Sequence, residues 1–335
     1  MRKILVDAMG GDLAPVENLK GAYEFSKETK YDVVLLGNKE KLNEVSLELY
    51  NVDIDNLSPK ISVINTTENI DPNEVPTVAI KKKKDSPIVK GLHELKEGNG
   101  NIFLSAGSTG ALLTGAVLIV GRLKGINRPS LVPTFNLGKN KIFLSDSGAN
   151  TTIRPINLLQ FAQMASMYAE IVEGVENPKV MMLNNGAERN KGTDVHKEAY
   201  TLLEEETEKG NLNFKGNIEA RDVFKTDANV IVTGGFEGNV LVKSIEGTLE
   251  FISDKINEKL NKVNKLFRNI IKKKIKGSSG SIDYKKWGGA VMLGIKNPVI
   301  KLHGSSDQTA FYYTLKQAEK ILDSGYIEKF KEKME

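Results

Sequence analysis

Seven times along this chain a short, uninterrupted apolar run ends in a cluster of glycine, serine, aspartate or asparagine, and a helical pattern follows. The runs are KILVDAMGGD, DVVLLGN, NIFLSAGSTG, KIFLSDSGAN, KVMMLNNGAE, NVIVTGGFEGN and VIKLHGSS. Strands that are apolar throughout must be covered on both faces, and helices between them supply the cover. The pattern predicts an α/β fold, an α/β/α sandwich with a mostly parallel sheet. Helices are expected near 16–29, 39–50, 76–84, 86–96, 109–121, 155–174, 195–208, 306–322 and 326–334. In such sheets ligands bind beyond the carboxyl ends of the strands, where this sequence places its small polar residues. At 335 residues the chain suits one α/β domain over 1–335, with two lobes around one crevice as the other arrangement. A basic amphipathic helix or hairpin over 250–282 is expected to protrude from it.

Residues 101–121, NIFLSAGSTGALLTGAVLIVG, are uncharged and about long enough to span a bilayer. Ser105, Ser108, Thr109, Thr114 and four glycines dilute the segment, so strand, turn and buried helix is the better parse. The chain has no cysteine, which removes disulfides, thiolate metal ligands and a cysteine nucleophile, and suits a cytoplasmic setting. Its start, MRKILVDAMGGD, meets an acid at residue 7 and leaves no room for a signal-peptide core. Net charge is +4, but Lys259 to Lys276 holds eight basic residues and no acid, so the remainder sums to 4 − 8 = −4. One local basic patch is not the broad footprint of a nucleic-acid binder, and no nucleic-acid partner is expected.

Three kinds of turn carry candidate chemistry. SAGSTG offers backbone amides and the hydroxyls of Ser105, Ser108 and Thr109, with Gly107 and Gly110 allowing close approach of an anion. A capped strand-to-helix turn explains it equally well. It is neither a Walker A loop nor a dinucleotide fingerprint. In DAMGGD, Asp7 and Asp12 flank Gly10 and Gly11; two carboxylates there suit a magnesium ion or a substrate, although a capping role for Asp12 is the simpler account. SDSGAN contributes Asp146 and Asn150. NNGAERNKG contributes Asn184, Gly186, Glu188 and Lys191, and GGFEGNVLVK contributes Gly235, Asn239 and Lys243. Amides and ammoniums of this kind donate to phosphate or to a developing oxyanion. His303 ends an apolar run and is a candidate donor, with Ser305 or Ser306 capping the helix that follows. His93 and His196 read as surface residues. No spacing resembles a metal site, so no metal and no cofactor are expected.

From 252 to 270, Ile252, Ile256, Leu260, Val263, Phe267 and Ile270 recur at spacings of three and four, with Lys262, Lys265, Arg268 and Lys272 among the basic residues of the other face. Such a helix suits an anionic lipid surface, an acidic protein or a dimer interface.

Taken in order, DAMGGDLAP, SAGSTGALL, DSGAN, NNGAE with KG, GGFEGNV, DYKKWGGA and HGSS resemble the PlsX phosphate acyltransferases over nearly the whole chain. The resemblance implies transfer of a fatty acyl group from acyl carrier protein to inorganic phosphate. It implies a fold similar to phosphate acetyltransferases and isopropylmalate-type dehydrogenases. It also implies a homodimer, a peripheral association with the membrane, and a membrane glycerol-phosphate acyltransferase that consumes the acyl phosphate for phospholipid synthesis. On this reading Ser105, Gly107, Ser108 and Thr109 hold phosphate, while Asp7, Gly10 and Gly11 shape the adjoining wall. Lys191 steadies the oxyanion or leaving thiolate, oriented by Asn184 and Glu188, with Asn239 and His303 as further donors. Three positions depart from the family pattern: Gly234 replaces an expected aspartate, Ser108 an asparagine and Val291 a proline. The rival readings are a coenzyme A-dependent phosphate acetyltransferase, an NAD- and metal-dependent dehydrogenase, and a peripheral membrane scaffold.

Overall fold

The computed structural model describes residues 2–136, 140–261 and 284–334. They form two compact units. The first comprises Met1–Pro133, Met167–Glu176 and Lys285–Glu335, and the second Thr134–Ser166 and Asn177–Tyr284.

The first unit is built on a seven-stranded sheet of order β3-β2-β1-β4-β12-β11-β5. Its strands are β1 (Lys3–Asp7), β2 (Asp32–Gly37), β3 (Ile61–Asn65), β4 (Ile102–Ser105), β5 (Ser130–Val132), β11 (Ala290–Leu293) and β12 (Val299–Lys301). The first five in spatial order are parallel, and β11 runs antiparallel to both of its neighbours. Ile4, Leu5 and Val6 of β1 and Ile102, Phe103 and Leu104 of β4 are all fully buried, which is why their runs carry no polar alternation. From β1 the chain winds outward through β2 and β3, then crosses back to β4 on the other side of β1. The strand order therefore reverses between β1 and β4, the place where open α/β sheets bind ligands.

The helices of this unit follow local signals closely. Helix α1 (Val16–Ser26) and α2 (Lys39–Tyr50) separate the first three strands. Then α3 (Pro76–Lys82) leads to α4 (Pro87–Glu97), which starts on a Ser86 cap with proline in its first turn and stops at Gly98 in the left-handed region. Gly91 of α4 lies against Phe103: a Cβ there would approach the ring to 2.4 Å. Helix α5 (Thr109–Gly115) continues as a π-helical turn over Ala116–Val120 and closes with Gly121 N–H donating to Ala116 O at 2.9 Å. No described helix is long and apolar enough to cross a membrane. The helices Gln308–Ser324 and Tyr326–Met334 end the chain.

The second unit carries a five-stranded sheet of order β6-β7-β10-β8-β9. Its strands are β6 (Thr134–Asn136), β7 (Lys141–Ser145), β8 (Lys179–Asn184), β9 (Asn213–Glu219) and β10 (Val230–Val232), parallel except for β6. Helix α6 (Pro155–Glu173) follows β7, and α7 (Asp194–Glu208) joins β8 to β9. The long basic helix was expected from 250; instead α8 spans Gly235–Asn261, because the GGF turn that ends β10 leads directly into it. The remainder of the expected 250–282 element lies outside the described residues.

Candidate active site

In the first unit the turns after β1 and β4 are locked together by one carboxylate. Asp7 is buried; it accepts from Ser105 Oγ–H at 2.6 Å and from Met9 N–H at 3.0 Å. Ser105 Oγ in turn accepts from Gly107 N–H at 3.0 Å. Burial pushes the Asp7 carboxyl above its ordinary range, against the Ser105 hydroxyl, the Met9 and Gly10 amides and the charge of Lys301, which all favour the ionised form. A Cβ on Gly10 would lie 2.5 Å from Asp7 Oδ2 and 2.6 Å from Gly107 N, so only glycine lets the two turns come this close. Gly11 adopts φ +105°, and a Cβ there would press on Gly304 O.

This geometry reassigns several residues. Asp7 and Ser105 face inward and hold the turn; neither presents a free polar atom to a ligand. Ser108 caps α5 by accepting from Ala111 N–H at 3.4 Å, leaving Thr109 as the exposed hydroxyl of the turn. Gly110 abuts Pro76 of α3, whose Cγ would be 2.7 Å from an added Cβ. Asp12 does not cap α1, which begins after Pro15 without a side-chain cap; its amide donates to Gly304 O at 2.8 Å and ties the first turn to the one after β12. There His303 is exposed, with Nδ1 2.8 Å from Ser305 Oγ. Neither serine caps the next helix: Asp307 does, accepting from Ala310 N–H at 3.1 Å.

In the second unit the turns after β7, β10 and β8 lie on three adjacent strands. Asp146, fully buried, plays the part of Asp7. It accepts from Ser147 N–H (2.8 Å), Ala149 N–H (3.2 Å), Asn150 N–H (2.8 Å) and Asn150 Nδ2 (2.9 Å). Gly235 and Gly238 pack directly on this loop: added Cβ atoms would lie 2.6 Å from Asp146 Oδ2 and 2.0 Å from Asp146 O, respectively. Gly148, at φ +128°, faces the Asn239 side chain. Gly234, where the family pattern suggests a carboxylate, does not leave the place empty. Glu237 folds back from the first turn of α8, and its Oε2 stands 2.4 Å from where a Cβ on Gly234 would be.

Lys191 is exposed at the end of the β8 turn. Asn184 holds its backbone, donating from Nδ2 to Lys191 O at 3.2 Å, while Glu188 O accepts from Lys191 N–H at 3.2 Å. The aliphatic stem of Lys191 and the Glu188 carboxylate both pack over Gly186, with Lys191 Cγ 2.8 Å and Glu188 Oε2 2.7 Å from an added Cβ. Lys243 is paired with Glu246 at 2.8 Å along α8.

Of the contact residues expected on the amphipathic segment, Leu260 is buried at 7% exposure, contrary to a lipid-facing role. Lys262, Val263, Lys265, Phe267, Arg268, Ile270 and Lys272 lie outside the described residues. His93 is exposed as expected, whereas His196 is buried at 8% exposure and pairs through Nδ1 with Thr193 Oγ1 at 2.8 Å. Two contributors escaped the sequence reading. Asn18 is buried on α1 and donates to Asp7 O at 3.1 Å and Gly10 O at 3.0 Å, bracing the first turn from behind. The signal for it was a lone amide sharing a helix face with Gly21, Ala22 and Phe25. Lys301, at the end of β12, supplies positive charge beside Asp7; a single lysine in an apolar run gave little warning.

The chain is 41% identical over 335 residues to a phosphate acyltransferase of Thermoanaerobacterium thermosaccharolyticum, covering 99% of this chain and 97% of that one. It is 43% identical over 338 residues to a phosphate acyltransferase of Lactobacillus delbrueckii subsp. bulgaricus, covering 99% of both. Among solved structures its fold is similar to the EutD phosphotransacetylase of Staphylococcus aureus, with TM-score 0.61, 18% identity, and 97% and 94% of the two chains covered. It is also similar to a branched-chain phosphotransacylase of Enterococcus faecalis V583, with TM-score 0.57, 15% identity, and 96% and 100% covered. The family model described as fatty acid synthesis protein matches residues 2–329. The chain thus belongs to this fatty acid synthesis family of PlsX phosphate acyltransferases, enzymes that transfer an acyl group to phosphate.

Proposed function

We propose that the acyl donor is a fatty acyl thioester of acyl carrier protein, and that the product acyl phosphate feeds phosphatidic acid synthesis through a membrane glycerol-phosphate acyltransferase. The observation that carries this reading is the full-length match to phosphate acyltransferases, with the recurring glycine-rich turns at the carboxyl ends of neighbouring strands in each unit.

A phosphate oxygen attacks the thioester carbonyl carbon; the C–O bond forms, the C–S bond breaks, and the thiolate leaves and takes up a proton. Phosphate needs little help from a base, since its second proton is lost near neutral pH, about one unit above the value of about 6 for a phosphate monoester, so a good share is already the dianion. What the reaction needs is a cradle for the nucleophile and positive or N–H character for the oxyanion and thiolate. In this reading the first unit's turn cradles phosphate, with Gly11, Gly107, Thr109 and Gly110 reaching its surface and Gly10 buried beneath them. Asp7 and Ser105 keep it in shape. Lys191 and Asn239 of the second unit, and His303 of the first, carry the ammonium, amide and imidazole donors that suit an oxyanion or thiolate. No acyl-enzyme is required, consistent with a chain that lacks cysteine. Exposed Phe251, Ile252 and Ile256 on α8 support an apolar partner for that helix, which we assign to a second copy of the chain and an anionic membrane surface.

The test is incubation with palmitoyl carrier protein and phosphate, trapping acyl phosphate with hydroxylamine. Phosphate-dependent hydroxamate supports the reading. Product from acyl coenzyme A but not from the carrier would reassign the donor, and no product from either would leave acyl transfer without a demonstrated substrate.

A further inference from the structure

The KKKK run at 81–84 lies at the C-terminal end of α3, where four consecutive lysines suit a solvated helix end. In the structure its four members separate. Lys83 is consumed internally: its ammonium bonds Glu74 Oε1 at 2.6 Å and Asn69 O at 2.6 Å. Lys81, Lys82 and Lys84 are exposed, and among the described residues they make no ion pair or hydrogen bond through the side chain. The acids nearby are engaged elsewhere. Glu74 is neutralised by Lys83 and Asp85 by Lys90 at 2.7 Å, while Glu68 and Asp71 accept from the Asp85 and Asn73 amides. Val75, the N-cap of this short helix, and Val78 within it are 62% and 45% exposed. Residues three and four apart share a helix face, so Val78, Lys81 and Lys82 line one side of α3, with Val75 exposed at its N-cap. The other side buries Ala79 and Ile80 in the core. The first residue of α3, Pro76, rests on Gly110 of the SAGSTG turn.

We infer that this face of α3 docks the donor: an acidic carrier protein whose acidic surface meets Lys81, Lys82 and Lys84 and whose apolar side chains cover Val75 and Val78. The inference rests on the carrier-donor reading above. Its basis is charge complementarity at a place that adjoins the turn assigned to phosphate, so a thioester on the carrier's flexible arm has a short way to go. An apolar centre rimmed by unpaired cations suits transient docking, with the cations accelerating encounter and the valines contributing contact.

The experiment compares the full-length enzyme with Lys81→Glu/Lys82→Glu and with Lys329→Glu/Lys331→Glu, an equal charge change on the exposed face of the last helix. The donors are octanoyl carrier protein and octanoyl pantetheine, which lacks the protein. The α3 variant should raise KM for the carrier roughly tenfold, more at low salt, with kcat and the pantetheine reaction unchanged. The control variant should match wild type. Equal losses with both donors, or no loss with either, would overturn the inference. Titration of holo-carrier into each enzyme, read without turnover, separates the two levels of the proposal. A carrier that binds wild type and not the α3 variant, yet donates no acyl group, sinks the donor reading and keeps the surface. Retained carrier binding with lost binding to phosphatidylglycerol vesicles would make α3 a lipid surface and refute docking.

Discussion

Replacing Ser105 by alanine tests how the first turn is held. The substitution removes one oxygen with two duties, donating to the buried Asp7 carboxylate at 2.6 Å and accepting Gly107 N–H at 3.0 Å. A hydrogen bond to a charged group is worth about 1.5–3 kcal/mol, and leaving the half-buried Gly107 amide without its acceptor adds about 1 kcal/mol. The two losses share one relaxation, so we expect about 3 kcal/mol in total. Trp287, the chain's single tryptophan, belongs to the same unit and reports its unfolding in urea by fluorescence. The loss should also depend on pH. Burial raises the Asp7 pKa, so the folded state keeps this proton to higher pH than the unfolded chain, and stability from this group falls as pH rises through the folded value. Without the Ser105 donor the folded value rises further. The gap between variant and wild type should therefore widen as pH rises through the folded value. A loss below about 0.5 kcal/mol, or one that narrows as pH rises, would refute the assignment of Asp7 and Ser105 as the clamp.

Three further outcomes are expected. Lys191→Ala should lower kcat roughly 10²-fold while the far-UV circular dichroism stays that of wild type, and near-normal turnover would remove Lys191 from the chemistry. Gly238→Ala sets a Cβ against Asp146 O and should cost about 1–3 kcal/mol by overpacking, read as a lower thermal midpoint; an unchanged midpoint would mean the SDSGAN loop yields freely. Burial holds the His196 pKa below its ordinary value, so acidification through the unfolded value protonates the unfolded chain first and lowers stability. His196→Gln should flatten that acid-side decline in a series of melts, and an unaltered slope would place the titrating group elsewhere.

Much of this protein was legible from residues alone, for reasons that are local. Strands β1, β2, β4, β7, β8, β10 and β12 are those whose apolar runs end in glycine-rich turns. Helices from α1 to α7 fall within a few residues of their expected bounds, because caps such as Ser86 and stops such as Gly98 act on their own neighbours. The strands that were missed, β3, β5, β6, β9 and β11, are short or mix buried with exposed positions, and only a neighbouring strand makes them strands. The same division runs through the candidate site. The turns and their strand ends were readable, but the tasks of individual side chains were not. Ser105 looked like a phosphate ligand until its partner proved to be Asp7, 98 residues away along the chain. His196 looked superficial until the packing around α7 covered it. Gly234 looked like a lost carboxylate until Glu237 folded over it. Periodicity and capping decide which elements form, since their energies are settled within a turn or two of chain. Which polar atom is spent inside and which is left for a substrate depends on pairings across the fold, and only the tertiary structure makes those choices.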